Sequence, residues 1–168
     1  LAGLLTRQDA FRSDLAAAAQ AATMIFLAGG QPAYLASTLI DTPFWAAVLT
    51  ASERGAAVSG CSAGMWALGE LAPVSTITDP ADQAWVPGLR LVPHAVLAAH
   101  WDALDSFLPG LQGAVRSAVP AEWSLLAIEE RTAVVGDGLA WQVYGAGSVI
   151  VQQAAARRTF AAGDRFTL

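Results

Sequence analysis

The residues most suited to chemistry in this chain lie in one pentapeptide, Gly60-Cys61-Ser62-Ala63-Gly64. It follows the apolar run 56–59 and precedes a helix-like segment, so Ser62 is predicted to lie at a strand-to-helix turn. A serine between two glycines at such a turn is typical of a nucleophile elbow, whose strained serine tolerates only small neighbours. Roughly 0.08 such matches are expected by chance at this composition. The alternative is a tight turn that carries no chemistry.

A nucleophilic serine needs a general base, and the chain has two histidines, His94 and His100. His100 ends the apolar run 95–99, and open α/β sheets place their sites at the carboxyl ends of the strands. His94 precedes that run and is expected nearer the opposite edge. We therefore predict His100 as the base, with a purely structural histidine as the alternative.

A third group must orient the imidazole ring, and carboxylates are present between the serine and the histidine. Asp79 is the predicted acid, and Asp82 and Glu70 are the alternatives. Backbone N–H groups must also stabilise the oxyanion. We expect Gly30, which follows the preceding strand, and Ala63, which opens the next helix, to supply them.

The elements that must position these residues alternate between helix and strand along the first half of the chain. The predicted elements are a helix at 6–22, a strand at 23–28, helices from Pro32 and over 43–54, a strand at 56–59, a loop at 72–88, strands at 89–93 and 95–99, and a broken helix at 101–117. Such alternation is typical of a parallel sheet with helical crossovers.

After Trp123 the sequence becomes rich in short strands, with Gly136-Asp137-Gly138 predicted as a hairpin turn. The strand candidates are 124–127, 132–135, 139–144, 148–151 and 158–161. The whole pattern predicts a single α/β domain over residues 1–168. We expect three layers, with a mostly parallel sheet flanked by helices and a β-rich, partly antiparallel C-terminal third.

Composition excludes several classes of function. All nine basic residues are Arg and the net charge is −5, which argues against a nucleic-acid-binding surface. The lack of Lys excludes a Ser-Lys dyad, a Schiff base and a phosphate-loop lysine. One Cys and two His argue against a zinc site, and we expect no cofactor. No apolar run approaches about 20 residues and no signal peptide is visible, so a cytoplasmic protein without membrane association is expected.

Several segments together resemble the serine peptidase family of aspartyl dipeptidase (peptidase E) and cyanophycinase. They are Ile25-Phe26-Leu27-Ala28-Gly29-Gly30-Gln31-Pro32, the pentapeptide 60–64, 89–93, His100-Trp101-Asp102 and 127–133. The resemblance implies a class I glutamine amidotransferase-like, flavodoxin-like α/β fold. It also implies that Ser62 is the nucleophile, that His100 is the base, and that Asp79 is the carboxylate nearest the position of the family's acid. A small peptide or isopeptide would be the substrate, cleaved through an acyl-enzyme.

The chain also departs from this family. Trp101 follows the histidine where Phe is common, and no arginine appears between His100 and Arg116. Ala98 occupies a position where cyanophycinase-type members have Asp. A buried carboxylate is best recognised by an arginine fork, so these differences weaken the case for an aspartyl substrate. The family's N-terminal strand-helix portion is missing as well, which predicts a partial chain with an exposed sheet edge. The expected partners are a small peptide and, as an option, a second copy of the chain.

Three other functions share parts of this pattern. A catalytically inactive binding or regulatory protein of the same fold is the main alternative. An esterase of the α/β-hydrolase type would ordinarily have its histidine late in the chain, whereas no histidine follows His100. Glutamine amidotransfer uses cysteine at the elbow, and Cys61 is one position away from Ser62. The sequence therefore favours peptide hydrolysis by Ser62, His100 and Asp79.

Overall fold

A computed structural model of the chain describes residues 3–74 and 84–168. Helices and strands alternate in the first half of these ranges, and strands dominate after residue 123. The helices are α1 Ser13–Ala21, α2 Pro32–Leu39, α3 Pro43–Glu53, α4 Ala63–Ala67, α5 Leu104–Phe107 and α6 Leu111–Ala118. The strands are β1 Met24–Leu27, β2 Ala57–Gly60, β3 Leu71–Pro73, β4 Trp85–Pro87, β5 Ala95–Ala98, β6 Ser124–Ile128, β7 Thr132–Gly136, β8 Ala140–Gly145, β9 Val149–Gln153, β10 Ala156–Phe160 and β11 Arg165–Thr167.

Strands β1 and β2 form a parallel pair in which Leu27 lies opposite Gly60. Helices α2 and α3 connect them, and each begins with proline at the first helical position. Proline lacks an N–H, but an N–H at this position would have no acceptor within the helix. The side chain of Thr42 caps α3 by accepting a hydrogen bond from the Trp45 N–H at 3.2 Å. Because the pair is parallel, both strands end at the same edge of the sheet.

Strand β5 pairs in parallel with β6, with Ala98 opposite Ala127. The four strands of this sheet are ordered β10-β9-β6-β5. The pairing continues beyond β5, since the Trp101 N–H donates to the Ile128 carbonyl at 3.0 Å. The residues that follow β5 are therefore held beside the residues that follow β6.

Side chains of β5, β6 and β9 alternate between two apolar clusters, one on each face of their sheet. Leu97, Leu126 and Val151 belong to the larger cluster, whereas Val96 and Leu125 belong to the smaller one. Successive side chains of a strand point to opposite faces, so this sheet is buried on both. None of the helices in residues 3–74 and 84–168 combines the length and apolar character of a membrane span.

The prediction of a mostly parallel sheet is wrong for the strands that the structure describes. Two of their pairs are parallel and five are antiparallel. Short connections join β7 to β8 and β9 to β10, and such connections allow only antiparallel pairing. The β-rich, partly antiparallel C-terminal third is confirmed, with β11 as an additional strand that the sequence pattern did not predict.

The segment 89–93, predicted as a strand, is not one. Its Leu89 N–H donates to the Ala67 carbonyl and its Val92 N–H to the Leu68 carbonyl, so it packs against the end of α4. The predicted loop 72–88 holds the short antiparallel pair β3 and β4 near its ends. Leu89 and Val92 are buried, but the sequence pattern did not indicate their hydrogen-bond partners.

Candidate active site

Ser62 occupies the turn between β2 and α4 with φ +50° and ψ −118°, outside the favoured regions for a non-glycine residue. Steric contacts explain why both flanking positions are glycine. A Cβ at Gly60 would lie 2.5 Å from the Gly64 carbonyl carbon, and a Cβ at Gly64 would lie 2.0 Å from the Leu27 carbonyl oxygen. Only glycine allows α4 to pass this close to β1.

His100 follows β5 and also has a positive φ, at +55°. Its Nδ1 lies 3.2 Å from Oε1 of Glu130. Its ring meets the Phe107 ring edge-on, with the centroids 6.0 Å apart and the planes at 85°. With Nδ1 engaged by the carboxylate, Nε2 is the nitrogen left for proton transfer.

Four of the five predicted site residues line one cavity of about 260 Å³: Gly30, Ser62, Ala63 and His100. The glycine loop that follows β1 lies against the serine, since a Cβ built on Gly29 would be 3.5 Å from the Ser62 Cβ. Gly30 itself has φ +142°, a conformation suited to glycine. Asp79, the predicted acid, lies outside the described residues, as does its alternative Asp82.

A second and larger cavity has a volume of about 630 Å³. Ser62 and His100 line it as well, together with Cys61, Glu130 and Arg131. The serine and the histidine therefore line both cavities, of which only the smaller is also lined by Gly30 and Ala63. Cys61 lines the larger cavity but not the smaller one.

Glu70, the third predicted carboxylate, lies near the start of β5, whereas His100 follows its end. Its Oε1 lies 3.0 Å from Arg90 Nε, and its Oε2 accepts a hydrogen bond from the His94 N–H at 3.0 Å. His94 precedes β5, and its exposed ring lies 6.4 Å from that of Trp123. Both carboxylate oxygens of Glu70 therefore have partners other than His100.

Glu130 is a residue that the sequence reasoning did not assign to the site. It follows β6, and its N–H donates to Asp102 Oδ1 at 2.9 Å, which fixes the backbone beside His100. A usable signal was present: parallel strands β5 and β6 end at one edge, so the residues after them must meet. The three predicted carboxylates all lie between the serine and the histidine, whereas Glu130 comes later in the chain.

The sequence pattern of peptidase family S51 matches residues 4–143 of the chain. The chain belongs to peptidase family S51. An S51 peptidase is of the serine type, and the Gly-x-Ser-x-Gly turn falls inside the matched region. The predicted resemblance is thereby confirmed, and a comparison with curated proteins finds no significant match.

One solved structure supports the same assignment of this S51 peptidase, and a second shares its fold. The crystal structure of a peptidase from an acI-B1 Actinobacterium shares 26% identity with a TM-score of 0.86, over 98% of this chain and 67% of that one. A putative peptidase E protein from Listeria monocytogenes EGD-e shares 15% identity with a TM-score of 0.53, over 88% of this chain and 63% of that one. The second likeness concerns the fold alone.

Proposed function

We propose that this S51 peptidase hydrolyses an amide bond of a small peptide or isopeptide through an acyl-enzyme on Ser62. The observation that carries the proposal is the strained Ser62, which shares one cavity with His100 and with the backbone of Gly30 and Ala63. Strained backbone is costly and is found preferentially where a side chain must be presented for chemistry.

In the proposed reaction Ser62 Oγ attacks the substrate carbonyl carbon while His100 Nε2 accepts the hydroxyl proton. The carbonyl oxygen becomes an oxyanion, which the N–H groups of Gly30 and Ala63 stabilise. The C–N bond then breaks, and His100 gives its proton to the leaving amine. Water then attacks the acyl-enzyme ester by the same steps, which releases the acid and restores Ser62.

Two carboxylates compete for the role of orienting His100. The sequence and the family resemblance propose Asp79, whereas the 3.2 Å contact between Nδ1 and the carboxylate supports Glu130. A carboxylate on Nδ1 holds the imidazole in the tautomer whose Nε2 can accept a proton, and it stabilises the imidazolium that forms. We favour Glu130, since both partners are held by the parallel pairing of β5 and β6.

We infer a three-layer, class I glutamine amidotransferase-like arrangement, because the sheet that contains β5 and β6 is covered by an apolar cluster on each face. A crystal structure of the chain that lacked helices on one face would contradict it.

Labelling with a serine-reactive fluorophosphonate tests the proposed function. The probe should modify Ser62 in the wild type, as read by mass spectrometry of the modified peptide. Ser62→Ala should abolish the label, and His100→Ala should slow it by about 100-fold or more, because the base activates the hydroxyl. Ser13→Ala is the matched control, since Ser13 is an exposed serine of α1 that lines neither cavity and should leave labelling unchanged. A folded wild type that is not labelled would favour a binding or regulatory role instead.

A further inference from the structure

The smaller cavity beside Ser62 has a wall of apolar side chains. Those that matter here are Pro32, Trp66, Leu104, Phe107, Leu108 and Leu111. Among the described residues no arginine and no acidic side chain lines it. A substrate carboxylate placed there would lose its hydration without gaining the arginine fork that best recognises a carboxylate, which disfavours binding.

Phe107 is the member of this wall that stands beside the proposed base. Its side chain is 63% exposed, although it is large and apolar, and its ring packs edge-on against the imidazole of His100. The segment that carries it is held in place: the Gln112 N–H donates to Asp105 Oδ1 at 2.8 Å, and Gln112 Nε2 donates to the Trp101 carbonyl at 2.7 Å. The phenyl ring is therefore an accessible apolar surface beside His100, carried by an anchored segment.

The position of the oxyanion donors indicates which part of the substrate enters this cavity. The acyl carbonyl must contact the nucleophile and the N–H donors together, and only the smaller cavity contains Ser62, Gly30 and Ala63. The leaving amine needs contact with His100 alone, and His100 lines both cavities. The acyl side of the substrate is thus assigned to the apolar cavity, and the leaving side to the larger one, where Glu130 and Arg131 lie.

We propose that the residue whose carbonyl is attacked has an apolar side chain of leucine or phenylalanine size, and that Phe107 is a specificity-determining residue for it. The inference rests on the proposed role of Ser62. The volume of about 260 Å³ accommodates one such side chain, and contact with Phe107 removes apolar surface of both groups from water.

Diphenyl phosphonate analogues of single amino acids test the acyl side directly. Ser62 Oγ attacks phosphorus, phenoxide leaves, and the hydroxyl proton passes to His100, so the rate of covalent modification reports the fit of the side chain. Second-order rate constants would be measured by mass spectrometry for the Ala, Leu, Phe and Asp analogues. We expect the Leu and Phe analogues to react at least about 10-fold faster than the Ala and Asp analogues.

Variants at Phe107 assign the preference to that residue. Phe107→Ala should slow the Phe analogue by about 5- to 10-fold and leave the Ala analogue within about twofold, because only the larger side chain reaches the ring. Phe107→Leu should restore most of the rate. Phe11→Ala is the matched control, since Phe11 is another exposed phenylalanine, at 53%, and lines neither cavity.

The outcomes separate this inference from the proposed function. Equal or faster reaction of the Asp analogue, with Ser62 modified, would overturn the apolar preference alone. An apolar preference that persists unchanged in Phe107→Ala would overturn the role of Phe107. Failure of every phosphonate and of the fluorophosphonate to modify the folded wild type would overturn the proposed function, and the inference with it.

Discussion

Ser62 and His100 both have positive φ, at +50° and +55°. A non-glycine residue in a sparsely populated conformation costs on the order of 1–3 kcal/mol, so the surrounding structure must hold both residues in place. Near Ser62 the Cys61 N–H donates to the Leu27 carbonyl, and the Trp66 N–H donates to the Ser62 carbonyl. The turn is thereby anchored to β1 on one side and to α4 on the other.

At this scale the contact between Glu130 and His100 gives the first prediction. Glu130→Gln keeps the shape of the side chain but removes the charge that stabilises the imidazolium, so kcat/KM or the fluorophosphonate labelling rate should fall by about 100-fold or more. Glu122→Gln makes the same chemical change at another exposed glutamate and should have no effect. A change below about threefold in Glu130→Gln, with a large loss in Asp79→Asn, would give the orienting role to Asp79.

At the scale of elements, the close approach of α4 to β1 determines where the serine stands. The short helix begins directly after Ser62, and its second residue, Gly64, lies against the carbonyl of Leu27. Any side chain at that position must push the helix away from the strand. The same movement would displace the Ser62 hydroxyl from the glycine loop that follows β1.

Gly64→Ala should therefore lower the free energy of unfolding by at least about 2 kcal/mol, because its Cβ would lie 2.0 Å from a backbone oxygen. Gly113→Ala is the matched control. Gly113 lies in α6, is exposed, and has no heavy atom within 4 Å of an added Cβ. Alanine there should raise the free energy of unfolding by about 0.5–1 kcal/mol through its better helix propensity. Urea unfolding followed by circular dichroism measures both, and equal effects of the two changes would contradict this account.

At the scale of the whole molecule, β6 joins the parallel and antiparallel pairs of the four-stranded sheet. It pairs with β5 on one side and with β9 on the other. All five of its residues are buried. Loss of packing in this strand should therefore affect the unfolding of the entire chain, including the site edge beyond Ile128.

Leu126→Ala should lower the free energy of unfolding by about 2–5 kcal/mol, because Leu126 is 1% exposed within the larger apolar cluster. The matched control is Leu139→Ala, at a leucine that is 75% exposed, where a change within about 0.5 kcal/mol is expected. Thermal unfolding read by near- and far-ultraviolet circular dichroism would compare them. Loss of the C-terminal strands alone, at a separate transition, would argue against a single cooperative unit.

Much of the fold was accessible from the sequence because its signals are local. Proline at 32 and 43 marks the starts of two helices, and the apolar runs before Gly29 and Gly60 mark β1 and β2. The strand pairing was not accessible in the same way. Apolar residues indicate burial but not a hydrogen-bond partner, and Leu89 and Val92 are buried against the end of α4 rather than in a sheet.

The sequence by itself determined the serine turn, since backbone sterics act between neighbouring residues, and it left only two histidines as candidates for a base, of which we propose His100. The tertiary structure alone decided that Glu130, thirty residues from His100, meets its Nδ1. It also decided that an apolar cavity with Phe107 at its wall adjoins the serine. These arrangements depend on which strands pair and where α5 packs, and such long-range choices are set by the burial of the whole chain rather than by the spacing of residues.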